Sequence, residues 1–232
     1  MLEELVIVSV DDGIGELVLN RPQRRNTLIG PLVDQLDAGL QQLIDDETCH
    51  VILIRGAEGY FCAGLDLKAF SEEPAPAWRV DFENVWTNFH CDVFNCRKPV
   101  IGALESFAIA GGSALALACD FLVVGRQAFM QVSEVEMGRM APMNLAWLSL
   151  KFSHTLAMRM AVIGQKTYGE DLLRLGIAID CVDDTDVLST TRALGRRLAD
   201  FDAGTVQTLK TSLCRASNMD DFLQRIERIK DN

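Results

Sequence analysis

The chain has 232 residues, 49% of them hydrophobic and 24% charged, a composition that fits a folded globular protein and not a disordered or fibrous one. Twenty-two Lys and Arg against 33 Asp and Glu give a formal charge of −11, which argues against nucleic acid or an anionic membrane as a partner. A chain this long buries enough core to fold without disulfide or metal staples.

Seven cysteines (Cys49, Cys62, Cys91, Cys96, Cys119, Cys181 and Cys214) are an odd number with no C-x-x-C pair, so neither a metal site nor a redox motif is expected. The opening run MLEELVIVSVDDG is acidic and lacks the basic region of a secretory signal. Apolar stretches are interrupted within about 10–12 residues, too short to span a bilayer. These features together predict a cytoplasmic protein.

Residues 4–10 and 14–20 read as two strands joined by Asp11-Asp12-Gly13, a hairpin signal. Ile29, Val33, Leu36, Leu40 and Leu43 then recur at helical spacing, with Pro31 acceptable in a first turn. The continuous apolar run 51–55 predicts a buried strand, and Gly56, Gly59 and Gly64 mark the loop that follows. Residues 71–77 read as a polar surface loop. A helix is expected from Trp78 through Phe82, Val85, Trp86, Phe89 and Val93. Residues 99–104 and 120–125 read as strands on either side of Gly111-Gly112 and a small-residue helix. Beyond about residue 143 the pattern is helical, over 143–163, 168–175, 187–200 and 203–229. The expected fold class is α/β, built of repeating strand–strand–helix units, with residues 1–184 as the core and 185–232 as a helical C-terminal region.

Two glycine loops follow buried strands: Phe61-Cys62-Ala63-Gly64-Leu65-Asp66-Leu67, and Ala108-Ile109-Ala110-Gly111-Gly112-Ser113. A glycine loop opening into a helix leaves backbone N–H groups without partners. Two such loops side by side could aim two N–H groups at one carbonyl oxygen, forming an oxyanion hole. Either loop alone is more often just a tight turn. Asp66 is expected to cap the helix after it. His90 and Asp92 sit near each other in sequence, but a lone histidine on an apolar-faced helix is more often packing than chemistry. Nothing near Cys62 would lower its pKa, and His154 and the methionines Met137, Met140 and Met143 read as packing or as lining of an apolar pocket.

The runs LNRPQRRNTL (19–28), VILIRGAEGYFCAGLDLKAF (51–70) and KPVIGALESFAIAGGSALALACDF (98–121), with EVEMG (134–138) and LRLGIAIDCVDD (173–184), closely resemble the crotonase, or enoyl-CoA hydratase/isomerase, superfamily. The resemblance implies a crotonase-type spiral of ββα units assembled as a trimer or a hexamer. It implies an acyl-CoA or acyl-carrier thioester as substrate, with coenzyme A as part of the substrate and no separate cofactor. By position, the oxyanion N–H donors fall on Leu65 and Gly111. Ala63, Leu65 and Leu67 match the loop that lies against the adenine, with Asp66 among them. Arg24, Arg25 and Lys68 become candidates for its phosphates, although solvated surface charge explains these three equally well.

Departures from the family pattern narrow the chemistry. One hydratase glutamate falls at Ala114. The second falls at Glu134, with Glu136 beside it, Ser133 in place of the usual proline and Gly138 following; the next segment reads Gly-Arg-Met-Ala-Pro. Adding water across a double bond is easiest with two acid/base groups, whereas one carboxylate suffices to move a proton from Cα to Cγ. The favoured expectation is therefore enoyl-CoA isomerisation with Glu134 as catalytic base. The alternatives are hydration or dehydration, decarboxylation or thioester cleavage on a carrier protein, and an inactive acyl-CoA-binding homologue. Relative to the family the C-terminal region is short. Phe222, Ile226 and Ile229 mark an amphipathic helix expected to cover the acyl pocket, and a more open pocket is expected.

Overall fold

The computed structural model describes residues 3–216 and 222–230. Strands β1 (Val6–Asp11) and β2 (Ile14–Leu19) form the expected antiparallel hairpin, with Asp12 at φ 50° and Gly13 at φ 77° in its turn. They continue into a six-stranded sheet with β3 (Val51–Gly56), β4 (Val100–Leu104), β6 (Phe121–Gly125) and β9 (Asp180–Val182), in the order β1-β2-β3-β4-β6-β9. From β2 onward all pairings are parallel. Such strands are covered on both faces, which is why 51–55 lacks polar alternation.

A second sheet pairs β5 (Phe107–Ile109) parallel to β7 (Phe129–Gln131), and β7 antiparallel to β8 (Thr167–Tyr168). Single bridges Cys62–Ala108 and Leu28–Leu65 extend this layer into the glycine loops. Each unit thus runs from a strand of the large sheet, through a short strand or bridge of the small layer, into a helix. The helices are α1 (Gly30–Asp45), the single-turn α2 (Leu67–Phe70), α3 (Phe82–Asn95), α4 (Gly111–Ala118) and α5 (Pro142–Lys151). The main core fills the space between the sheets and these helices. On the opposite face of the large sheet, Ile14, Leu53, Ala103 and Val123 pack on Val187 of α8 (Val187–Ala199). Arg55 and Arg192 both bond Glu16 across that same layer.

The expected helix over 143–163 is two. It stops after Lys151, and Ser153 begins α6 (His154–Met158) by accepting from the Leu156 N–H at 3.3 Å; the chain then continues as a π-helical turn over Arg159–Ile163. The helix expected from Trp78 starts at Phe82, because Ala77–Val80 form a 3₁₀ turn that places Trp78 against Phe70 and Phe82. The 168–175 segment is the short α7 (Gly169–Arg174). The 203–229 pattern comprises α9 (Ala203–Ala216) and α10 (Phe222–Lys230), and residues 217–221 lie outside the described residues. Among the described residues no helix is long and apolar enough to cross a membrane.

Candidate active site

The two glycine loops meet because neither has room for a side chain at the contact. Gly64 adopts φ +85°, and a Cβ there would lie 2.6 Å from the Ile109 carbonyl; one on Gly112 would lie 2.3 Å from the Cys62 carbonyl. The Cys62 N–H donates to the Phe107 carbonyl at 3.2 Å and the Ile109 N–H to the Cys62 carbonyl at 3.1 Å, which locks the loops in register. Ser113, fully buried, ties the second loop down through bonds to the Ala108 and Gln131 carbonyls. Ala110, just before Gly111, is held at φ 51° and ψ −116°, a strained conformation for a residue with a Cβ. Such strain persists only where the surroundings enforce it.

The neighbours of Leu65 in the loop are tied down: the Gly64 carbonyl accepts from Leu28, and the Asp66 N–H donates back to Leu28. The N–H groups of Leu65 and Gly111 have no acceptor among the described residues. Both residues line one cavity of about 720 Å³. Ala63 and Leu67 line it as well, with Phe70, Phe82 and Trp86 as aromatic wall and Met137, Met140 and Met143 as flexible apolar wall. Of the α10 residues expected to cover it, Ile229 lines the cavity, whereas Phe222 packs on Phe94 and Trp147 and Ile226 is buried in the core; Lys230 also lines it and pairs with Glu83 of α3 at 2.6 Å.

Glu134 opens a 3₁₀ turn (Glu134–Met137) and also lines the cavity. Its Oε1 accepts from Asn144 Nδ2 at 3.0 Å; its Oε2 is buried without a partner. Burial pushes its pKa above the ordinary carboxylate value, opposed by its own backbone N–H and by Asn144. Ala114 is fully buried and contributes only a methyl group to the cavity wall. Asn144 stands out neither by motif nor by spacing in the sequence. Only the fold brings this helix residue onto a loop carboxylate ten positions earlier.

The remaining candidates fall elsewhere. The Asp66 carboxylate is buried beneath Arg21 and Arg24, at 2.7 and 3.0 Å, and caps α2 by accepting from the Ala69 N–H. Although burial opposes ionisation, those two guanidiniums hold its pKa well below the ordinary range. Arg24 is thus engaged by Asp66, Arg25 and Lys68 are exposed, and none of Arg24, Arg25, Asp66 and Lys68 lies on the cavity wall. His90 is fully buried; its Nδ1 accepts from Trp147 Nε1 at 2.9 Å, and burial pushes its pKa down to about 3. Burial lifts the Cys62 thiol to about 12, which rules out a ready thiolate. Glu136 is exposed and accepts from Gln131, and His154 is exposed at the start of α6. Among the described residues, no group of three or more His, Cys, Asp or Glu side chains is placed to hold a metal ion.

Two backbone N–H groups without an acceptor among the described residues, on the wall of one cavity, with a half-buried carboxylate on the same wall, are what a thioester enolate needs. The family model for enoyl-CoA hydratase/isomerase matches residues 9–230. The chain belongs to this family. Membership of the enoyl-CoA hydratase/isomerase family implies an acyl-CoA thioester as substrate. Over 218 residues the chain is 27% identical to a probable enoyl-CoA hydratase of Mycobacterium bovis, spanning 93% of this chain and 83% of that protein. It is 30% identical over 200 residues to the 1,2-epoxyphenylacetyl-CoA isomerase of Escherichia coli, spanning 84% and 76%. It is also 30% identical over 198 residues to the carnitinyl-CoA dehydratase of Proteus mirabilis, spanning 84% and 74%. Among solved structures, an enoyl-CoA hydratase/isomerase from Xanthobacter autotrophicus Py2 superposes with a TM-score of 0.87 at 25% identity, covering 97% of this chain and 84% of that one. An enoyl-CoA hydratase from Mycobacterium smegmatis gives 0.80 at 28%, covering 98% and 97%. These solved structures share the fold, and the relatives' names span hydration, dehydration and isomerisation.

Proposed function

We propose that this chain is an enoyl-CoA isomerase that works with a single carboxylate. The observation that carries the reading is the pairing of a half-buried Glu134, whose Oε2 is buried without a partner, with Ala114 where the family resemblance puts a second acid. The other carboxylate on the cavity wall, Glu83, is exposed and paired with Lys230. In this reading the thioester oxygen sits between the N–H groups of Leu65 and Gly111. The Glu134 carboxylate takes a Cα proton from a 3-enoyl thioester. The C–H electron pair moves into the carbonyl, giving a dienolate whose oxygen charge the two N–H groups stabilise. The same proton then returns to Cγ and the double bond ends at Cα–Cβ. Nothing is added or lost, so no second acid and no cofactor beyond the substrate's own coenzyme A is required. An apolar wall suits such a base, because a raised pKa strengthens it.

Exposed Val162, Ile163, Phe201 and Leu209 offer apolar surface for a homotrimer, and free cysteines suit a reducing cytoplasm. Light scattering at micromolar concentration is expected to give three times the chain mass; a monomer contradicts this assembly.

Offering 3-hexenoyl-CoA and crotonyl-CoA to the same preparation tests the chemistry. Isomerisation of the first with poor hydration of the second is expected. Hydration at ordinary enzyme rates, on the order of 10 per second, would transfer the assignment to a hydratase.

A further inference from the structure

Asn144 is the third residue of α5 and is 1% exposed. It lies in the first turn of α5, where a buried polar side chain needs partners for its amide hydrogens. Its side-chain amide carries two hydrogens, and both are used. One goes to Glu134 Oε1 at 3.0 Å and the other to the Ala110 carbonyl at 3.1 Å. The Ala110 carbonyl and the Gly111 N–H are two ends of the same peptide group. A trans peptide is planar and points them in opposite directions, so whatever fixes the carbonyl also aims the N–H. The carbonyl accepts a second bond from the Ala114 N–H at 3.2 Å. Bonds accepted at a carbonyl polarise the peptide and make its N–H a stronger donor.

We infer that Asn144 is a positioning residue that couples the two halves of the site, orienting the Glu134 carboxylate with one amide hydrogen and the Ala110–Gly111 peptide with the other. The inference rests on the reading of Glu134 as base and Gly111 as oxyanion donor. The strain at Ala110 gives the second bond something to do. At φ 51° that peptide plane is held against its local preference, and a bond to its carbonyl opposes a flip that would turn the Gly111 N–H away from the substrate. The first bond leaves Oε2 as the one oxygen of the Glu134 carboxylate without a partner among the described residues, so one defined oxygen is left to take a proton. Other charged groups near this carboxylate are Arg79, Glu83, Arg139 and Lys230 on the cavity wall and Glu136 on the same turn, and none of them bonds it.

Two variants separate positioning from mere packing. Asn144→Asp keeps the shape and replaces the donor by an acceptor; Asn144→Ala removes the group, and circular dichroism confirms the fold of each variant before it is read. The first readout needs no turnover: ¹³C NMR titration of the Glu134 carboxyl in protein carrying labelled glutamate. Loss of the donor moves the Glu134 midpoint to higher pH in Asn144→Ala, and further in Asn144→Asp, where a second carboxylate faces the first. The second readout is the infrared band of bound butyryl-CoA carrying a ¹³C thioester carbonyl. Its shift on binding is smaller in both variants if the Gly111 N–H is misaimed. The third is exchange of butyryl-CoA α-protons in D₂O, where kcat falls about tenfold to a hundredfold with little change in KM. A purely structural role lowers thermal stability and leaves the titration and the band of the folded protein where they were; that result overturns the inference. If Glu134→Gln retains wild-type exchange, the functional reading falls, and the titration and the band still decide the role of Asn144.

Discussion

The two ends of α4 treat their unpaired backbone groups in opposite ways. At the C-terminal end, the Lys151 ammonium reaches the Leu117 and Cys119 carbonyls at 2.8 and 2.6 Å. Lys210 pairs with the neighbouring Asp120, and Lys98 does the same service for α1 through the Leu43 and Asp46 carbonyls. At the N-terminal end, the N–H of Gly111, a residue of the cavity wall that follows strained Ala110, has no acceptor among the described residues. Every helix leaves such groups at both ends, and leaving a buried one unmade costs about 1–3 kcal/mol. Lysines remove that cost at one end, while the other end keeps it; under the proposed function a substrate oxygen is the missing partner.

Four changes probe this contrast. The largest effect is expected at the N-terminal end. Gly111→Pro deletes one N–H at a first helical position, where proline is tolerated, and should lower turnover about a hundredfold or more with the helix content of the circular dichroism spectrum retained. Unchanged turnover in that folded variant would remove Gly111 from the site. Next comes the C-terminal end. Lys151→Met strands two buried carbonyls and should cost about 1–3 kcal/mol in denaturant unfolding, while kcat for 3-hexenoyl-CoA stays within about twofold. A collapse of kcat without loss of stability would mean the two ends are not separable.

Ala114→Glu places a second carboxylate beside the cavity. It should raise crotonyl-CoA hydration from near zero to a detectable rate, and no gain means that the water position is absent too. The smallest effect lies away from both ends. Asp37 of α1 has its pKa lifted to about 6, mainly by burial and then by Asp92 on α3. Folded protein then holds this proton up to about pH 6 and unfolded protein only to about pH 4. Stability from this group is present at low pH and lost as pH rises between those values. Asp37→Asn should therefore match wild type in thermal unfolding at pH 4 and exceed it by about 1 kcal/mol or less at pH 7. An equal gain at both values would exclude titration as its cause.

Much of this contrast could be read in the sequence, but unevenly. The hairpin at Asp12-Gly13, the buried run 51–55 and the two glycine loops are local patterns, and local patterns dictated them. The β5–β7–β8 layer has strands of two or three residues, too short to show a period, and it exists because the loops must pair somewhere. Ser153 reads as an ordinary polar residue, yet its hydroxyl splits one expected helix into two. Nothing nearby in sequence announces Asp66, 42 residues away, as a partner of Arg24. Asn144 and the capping lysines were invisible for the same reason: each acts on an atom brought to it by tertiary folding.

The base itself is the centre of the account, and Glu134→Gln tests it most directly. The substitution keeps the shape and the bond to Asn144 within reach while removing the proton acceptor. Wild-type isomerisation should rise with pH through a midpoint above the ordinary glutamate range, because only the carboxylate accepts the Cα proton and burial raises its pKa. In Glu134→Gln, conversion of 3-hexenoyl-CoA should fall by about a thousandfold, while calorimetric affinity for a saturated acyl-CoA stays within about threefold. Full isomerase activity in Glu134→Gln would contradict the account.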